Sequence, residues 1–297
     1  MGKASRNKRT GSARDRIAAQ RAAARRAEIR NRVFLTSGAI VVVIAIVVAF
    51  VVVKLNHKPP KATSNGPTGV ALAKLVNTVV AVPTPVLDKV GAGSITTGPT
   101  PVTGEPALTA GGKPEVLYIG AEYCPYCAAE RWAMVVSLSK FGTFTNLRTI
   151  HSSSTDVYAN TPTFTFYKST YTSQYINFTP VETLTNVRTG NAEGAPLQNP
   201  TSAQQAIWAK LDSNGSIPFI DFGNKYSEVG NLQPFGPQYL TGKSWNQVAA
   251  ALTNPSNAIA QGVDGSANYF TAAICKLTNN QPGSACTSVI KGLEAKL

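Results

Sequence analysis

The sequence predicts an α/β body carried behind a single transmembrane helix, and three observations predict it. Residues 33–53 form an uncharged apolar run of 21 residues. The short run Glu115-Val-Leu-Tyr-Ile119, bounded by Pro114 and Gly120, feeds into a helical segment that starts near Pro125. Farther along, Ile217–Phe222 and Tyr226–Val229 flank Gly223-Asn224, the pattern of a β-hairpin with a Gly-first turn.

Charge assigns the amino-terminal part. The 297-residue chain has a formal charge of +13, and residues 1–32, with eleven Lys/Arg and two acids, hold +9 of it. The remaining residues are nearly balanced, which argues against a nucleic-acid surface on the body. The basic tail has no aromatic or motif support for RNA or DNA binding either. At ~1.5 Å per helical residue the apolar run spans ~31 Å, matching a hydrocarbon core of ~30 Å. Only Lys54, Lys58 and Lys61 follow it closely, so residues 1–32 are expected to be a cytoplasmic tail and the body to lie outside the membrane. No small-x-small cleavage site follows the run in KLNHKPPKA, so it reads as an uncleaved signal anchor. Arg25-Arg26 lacks the rest of a twin-arginine pattern. The Ala/Arg-rich tail suits anionic headgroups, making membrane lipid an expected partner.

Residues 54–70 contain Pro, Gly and Lys without periodicity and read as a linker, leaving 71–297 as the extracytoplasmic domain. The apolar patch 71–93 suggests a small helix and an edge strand. After Pro125 the segment YCAAERWAMVVSLSKFG has helix formers throughout and a stop at Gly142. Asn146–Ser153 suggests a second strand, with further strand candidates at Thr163–Tyr167 and Tyr175–Phe178. Helices are expected over 202–212, 243–253 and about 256–277.

The chemistry sits in the turn Cys124-Pro-Tyr-Cys127. Two His and four Cys leave little room for a His-rich metal enzyme. If the helix starts at or just after Cys124, its unsatisfied NH groups and the positive end of its dipole face that sulfur and favour thiolate over thiol. Pro125 fits the first helical turn, where a missing NH is harmless. Cys127, one turn further, lies on the same face within disulfide reach and is expected to be more buried. Cys124 is therefore the candidate nucleophile. Cys127 is the candidate resolver, closing the bridge and releasing a partner; the reverse sequence donates that bridge.

The ordered set of a buried strand, CPYC at a helix start, a later Ile-Pro opening a hairpin and a terminal helix resembles the thioredoxin superfamily. The likeness implies a thioredoxin-like mixed sheet with flanking helices. It also implies that Pro218 is cis and that the Ile217 backbone pairs with an extended substrate segment, making Ile217 and Pro218 substrate-binding residues. The Pro-Tyr dipeptide is similar to that of glutaredoxins. Tyr123 stands where many thioredoxins have Trp, and the long interval from Cys124 to Pro218 implies an insertion, about Thr155 to Thr201. Through GKPEVLYIGAEYCPYCAAERWA and SSSTDVYANTPTFTFYKSTYTSQYINF the chain is similar to an uncharacterised family of membrane-anchored thioredoxin-like proteins from archaea and actinobacteria.

Other residues carry two readings each. Cys275 and Cys286, eleven positions apart around Pro282-Gly283, suit a structural disulfide in an oxidising compartment or a second redox pair exchanging with the first. Glu122 and Glu130 are either proton relays to Cys127 or simply solvated. His151 reads as structural and His57 as linker. The aromatics Tyr158, Phe164, Phe166, Tyr167, Tyr171, Tyr175 and Phe178 either pack a sheet or line a groove for unfolded polypeptide. Zinc at Cys124 and Cys127 would need two more ligands, so no metal is expected.

The leading expectation is a membrane-anchored thiol-disulfide oxidoreductase acting on thiols or disulfides of exported proteins, with no cofactor and with a membrane protein or small thiol as redox partner. The alternative is a non-catalytic binding or assembly module on a thioredoxin-like scaffold, with Cys124 and Cys127 as a permanent staple.

Overall fold

Residues 66–187 and 193–297 are described by the computed structural model, and all of them belong to the unit Pro59–Leu297. The basic tail, the apolar run 33–53 and most of the linker lie outside the described residues. Among the described residues no single helix is long and apolar enough to cross a membrane.

Two helices open the described chain, α1 (Gly69–Val80) and α2 (Thr84–Val90). Helix α2 corrects the edge strand expected here. Pro85 sits in its first turn, where it costs no hydrogen bond, and Leu87 and Val90, three residues apart, bury one face. Helix α1 begins inside the stretch read as linker and buries Leu75 and Val79.

After the short strands β1 (Thr100–Pro101) and β2 (Thr109–Ala110) comes β3 (Lys113–Gly120), the spine of the body. The helix α3 (Pro125–Leu138) follows it. Next in order are β4 (Gly142–Thr145), β5 (Arg148–His151), β6 (Pro162–Thr165), β7 (Thr170–Ser173), β8 (Asn177–Glu182) and α4 (Ser202–Leu211). The hairpin strands β9 (Phe219–Phe222) and β10 (Tyr226–Val229) precede α5 (Trp245–Ala251), α6 (Ala258–Leu277) and α7 (Ser288–Glu294).

The central sheet is mixed. Strand β3 pairs in parallel with β8 on one side and antiparallel with β9 on the other, and β9 continues through β10 to β1. Successive side chains of β3 point to opposite faces. Val116 and Tyr118 join Ile220 and Phe222 in the larger core, under α3 and α6. Leu117 and Ile119 join Val181 and Phe219 in a smaller core on which Ile207, Trp208 and Leu211 of α4 pack. Both faces are covered, which is why the run reads as continuously apolar.

The parallel partner of β3 is therefore Asn177–Glu182. Arg148–His151, inside the expected second strand, is a strand but pairs antiparallel with β6 in a separate two-stranded sheet. Strands β4 and β7 form another. The aromatics of this inserted region mostly fill the core: Phe164, Phe166 and Phe178 are buried, and Phe166 meets Tyr118 edge-on with ring centroids 5.3 Å apart. The hairpin turn has Gly223 at φ 64° and Asn224 at φ 54°. Lys225 N donates to Phe222 O at 3.0 Å, so both central residues occupy the left-handed region that Gly and Asn tolerate best.

Helix α6 is joined by a disulfide, Cys275–Cys286, to the segment leading into α7. Both sulfurs are buried. Closing a loop with a sequence separation of 11 contributes about 3 kcal/mol on the chain-entropy model. Replacing both residues by Ala should lower the melting temperature by about 6–12 °C, read by thermal melts under non-reducing conditions. An unchanged melting temperature would show that this bridge does not support the fold.

Candidate functional site

Cys124 is the N-cap of α3, with extended backbone (φ −71°, ψ 123°) and a sulfur that accepts from Cys127 N at 3.2 Å. That is the position from which a side chain satisfies one of the four orphan NH groups at a helix start. Pro125 occupies the first turn. Opposite lies Ile217, whose peptide bond to Pro218 is cis. The Cys124 thiol donates to the Ile217 carbonyl at 3.9 Å. So β3, α3 and the segment opening the β9–β10 hairpin bring Cys124, Cys127, Ile217 and Pro218 together.

The two thiols are unpaired and unequal. Cys127 is fully buried, and Cys124 keeps 5 % exposure. The hydrogen bond with the Cys127 side chain holds the Cys124 thiol below its ordinary value; burial opposes it, while the Cys127 NH and the charge of Arg131 help. Burial pushes the Cys127 thiol well up, and its neighbour Cys124 adds to the rise. The pair thus differs in the sense that nucleophile and resolver require.

Beneath the cysteines lies polar structure the sequence does not advertise. Arg131 on α3 forms a fully buried, two-pronged ion pair with Glu182 at the end of β8. Glu122 accepts from Thr165 Oγ1 at 2.6 Å; burial, reinforced by the charge of Glu182, raises it to about 7. Glu130 is raised to about 8 by burial and accepts from Asn231 Nδ2. The same Asn231 amide donates to Tyr126 O at 3.1 Å, and Gly230 N donates to Pro218 O at 2.8 Å. The segment after β10 therefore fastens the first turn of α3 to the Pro218 segment. Both glutamates are buried, which corrects the solvated reading.

Around the mouth, Tyr126 between the cysteines is 40 % exposed and meets Tyr158 edge-on at 6.0 Å. Ser153 N donates to Tyr123 O at 2.7 Å, tying the segment that leads into the inserted region to the residue before Cys124. His151 packs against Trp245 with the rings tilted and their centroids 4.3 Å apart. Cys275 and Cys286 bond to each other and so supply no ligands to a zinc site at Cys124 and Cys127. Among the described residues no group of three His, Cys, Asp or Glu is placed to hold a metal.

Residues 103–276 match the model of a family described as a domain of unknown function, DUF929. The match covers more than half of the chain, and the chain belongs to that family. No curated protein and no solved structure matches it.

Proposed function

We propose that this member of the DUF929 family is a thioredoxin-like thiol-disulfide oxidoreductase, anchored in the membrane by residues 33–53 and acting on exported proteins. The observation that carries the reading is the setting of Cys124. Its sulfur caps a helix, accepts the Cys127 NH and faces the Ile217 carbonyl. The order of elements supports the fold. A buried strand leads to the CPYC helix, a parallel strand follows, and an Ile-Pro opens an antiparallel hairpin before the carboxy-terminal helices. The membrane anchor and orientation rest on the uncharged run and the eleven basic residues before it.

The reaction balances within the two thiols. The Cys124 thiolate attacks a substrate disulfide, forming a mixed disulfide and releasing one substrate thiolate. The Cys127 thiolate then attacks Cys124 Sγ, which releases the second substrate thiolate and closes the Cys124–Cys127 bridge. Two cysteine thiols are oxidised and one substrate disulfide is reduced; the reverse sequence oxidises a substrate dithiol. No cofactor enters. The Ile217 carbonyl and Pro218 form the edge on which an extended substrate segment would lie.

The test is a Cys127→Ser variant, which can begin exchange but not finish it. Mixed disulfides through Cys124 are expected to accumulate on non-reducing gels of membranes that hold the variant. They should disappear with reductant and in a Cys124→Ser, Cys127→Ser double variant. No adducts, with Cys124 inert to alkylation near neutral pH, would favour the scaffold reading.

A further inference from the structure

The ion pair under the cysteines is one-sided. Arg131 Nε and Nη2 donate to the two carboxylate oxygens of Glu182 at 2.9 and 2.7 Å. Nη2 also donates to Ala121 O at 2.7 Å. The other edge of the guanidinium, Nη1, is buried and meets no acceptor. A guanidinium presents its donors in a rigid planar fork, so fixing one edge on Glu182 fixes where the other stands. A buried charged donor without an acceptor is costly to the fold.

Position says what that edge faces. Arg131 follows Cys127 by four residues on α3, so the two share a helix face one turn apart. Helical side chains lean toward the amino terminus, which brings the guanidinium back beneath the cysteines to the Ala121 carbonyl. Its central carbon lies 5.9 Å from the centroid of the Tyr118 ring. The Tyr118 hydroxyl is likewise buried without a partner, and burial keeps it protonated by pushing its pKa well above the ordinary phenol value. The titratable and charged groups that act on this space are Tyr118 from β3, Cys124 at the N-cap of α3, Glu122 from the β3–α3 turn, Glu182 from β8 and, through Glu122, Arg148 from β5.

We propose that Arg131 is a positioning residue for the resolving step, its free edge preorganised for the negative charge that appears on Cys127 when that thiol ionises. The proposal rests on the exchange reading of the cysteine pair. Cys127 needs such help because it is fully buried, and a buried thiolate is costly unless a positive charge stands ready. In the step concerned the Cys127 S–H bond breaks, a bond to Cys124 Sγ forms, and the Cys124–substrate bond breaks. The departing substrate thiolate takes up the proton that Cys127 lost. Glu182 holds the guanidinium in place but also offsets part of its charge, so the two residues pull the step in opposite directions.

The experiment uses the full chain and the aromatic disulfide dithiobisnitrobenzoate, which reports each attack by releasing a coloured thiolate. Cys124 gives the first release and Cys127 the second. In an Arg131→Met, Glu182→Gln double variant, which removes both charges and orphans neither, the second release is expected to slow about tenfold at neutral pH. Its pH midpoint should rise by about one unit, and the first release should change less than about threefold. Glu182→Gln alone, nearly isosteric, is expected to speed the second release and lower its midpoint, an effect no loss of packing produces. A folded double variant with both releases unchanged or equally slowed, or a Glu182→Gln variant that slows the second, would overturn the role of Arg131. If the double variant does not fold, Glu182→Gln decides alone. A wild-type chain that releases no second equivalent sinks the exchange reading itself.

Discussion

Replacing Cys124 by Ser is expected to reduce thiol-disulfide exchange to the uncatalysed background while leaving the fold as stable as before. A hydroxyl forms no disulfide, so no step of the exchange survives. The same hydroxyl is a preferred N-cap, better suited than sulfur to accept the Cys127 NH. Activity and stability should therefore separate completely at this position. At Cys127 they should not. That side chain is fully buried, and a hydroxyl there without a good partner costs about 1–3 kcal/mol. Reduction of a model disulfide protein, followed beside thermal melts of wild type and both variants, checks the contrast. A Cys124→Ser variant that retains turnover would place the chemistry elsewhere.

The second large effect is on stability against pH. Glu122, Glu130, Asp221 and Asp264 are all buried, and burial raises them to about 7, 8, 6 and 8. A carboxyl whose folded value lies above its unfolded value keeps its proton in the native state while the unfolded chain has already lost it. The contribution to stability is complete below about pH 4 and is lost as pH rises toward the folded value. Each unit of such a shift corresponds to about 1.4 kcal/mol. The body is thus expected to be most stable in mild acid and to lose several kcal/mol, about 3 or more, between about pH 5 and 8. Thermal melts across that range check it, and Asp264→Asn, with neither carboxylate oxygen hydrogen-bonded in the native fold, should flatten the slope. A melting temperature that rises steadily to pH 8 would contradict it.

The parts of the site legible in the sequence are those made by neighbours in the chain. Glu115–Ile119 reads as a strand because it is buried on both faces, and Cys124-Pro125 reads as a helix start because cap and first-turn preferences are local. Gly223-Asn224 marks a turn by its own backbone freedom. What the sequence hides is long-range or locally contradictory. The expected strand at Tyr175–Phe178 overlaps only the start of β8, which runs on to Glu182 through Pro180, paired with Tyr118 in the parallel register; proline in a strand argues against extending one, and it is tolerated here because β8 pairs only with β3 in the sheet. The stretch 146–153 has better strand composition, yet it pairs outside the central sheet. Arg131 looks like an ordinary exposed helical residue until Glu182, 51 positions on, is brought beneath it. No spacing rule links the two. Glu122 and Glu130 draw notice by standing near the cysteines, but their hydrogen-bond partners, Thr165 and Asn231, are residues only the fold brings to them.

The covalent bridge at the end of α6 also says where this protein can be cut. Cys275 falls within the region shared with the family and Cys286 beyond it. The core residues Leu75, Val79, Leu87, Ile290 and Leu293 come from segments on either side of that region. Along α6, Gly265 admits the Ala92 carbonyl so closely that a methyl group there would come within 2.5 Å of it. A fragment trimmed to the shared region would carry an unmated thiol and a stripped apolar flank, inviting intermolecular cross-links. The compact unit is the longer one, Pro59–Leu297, which retains both flanking helical segments.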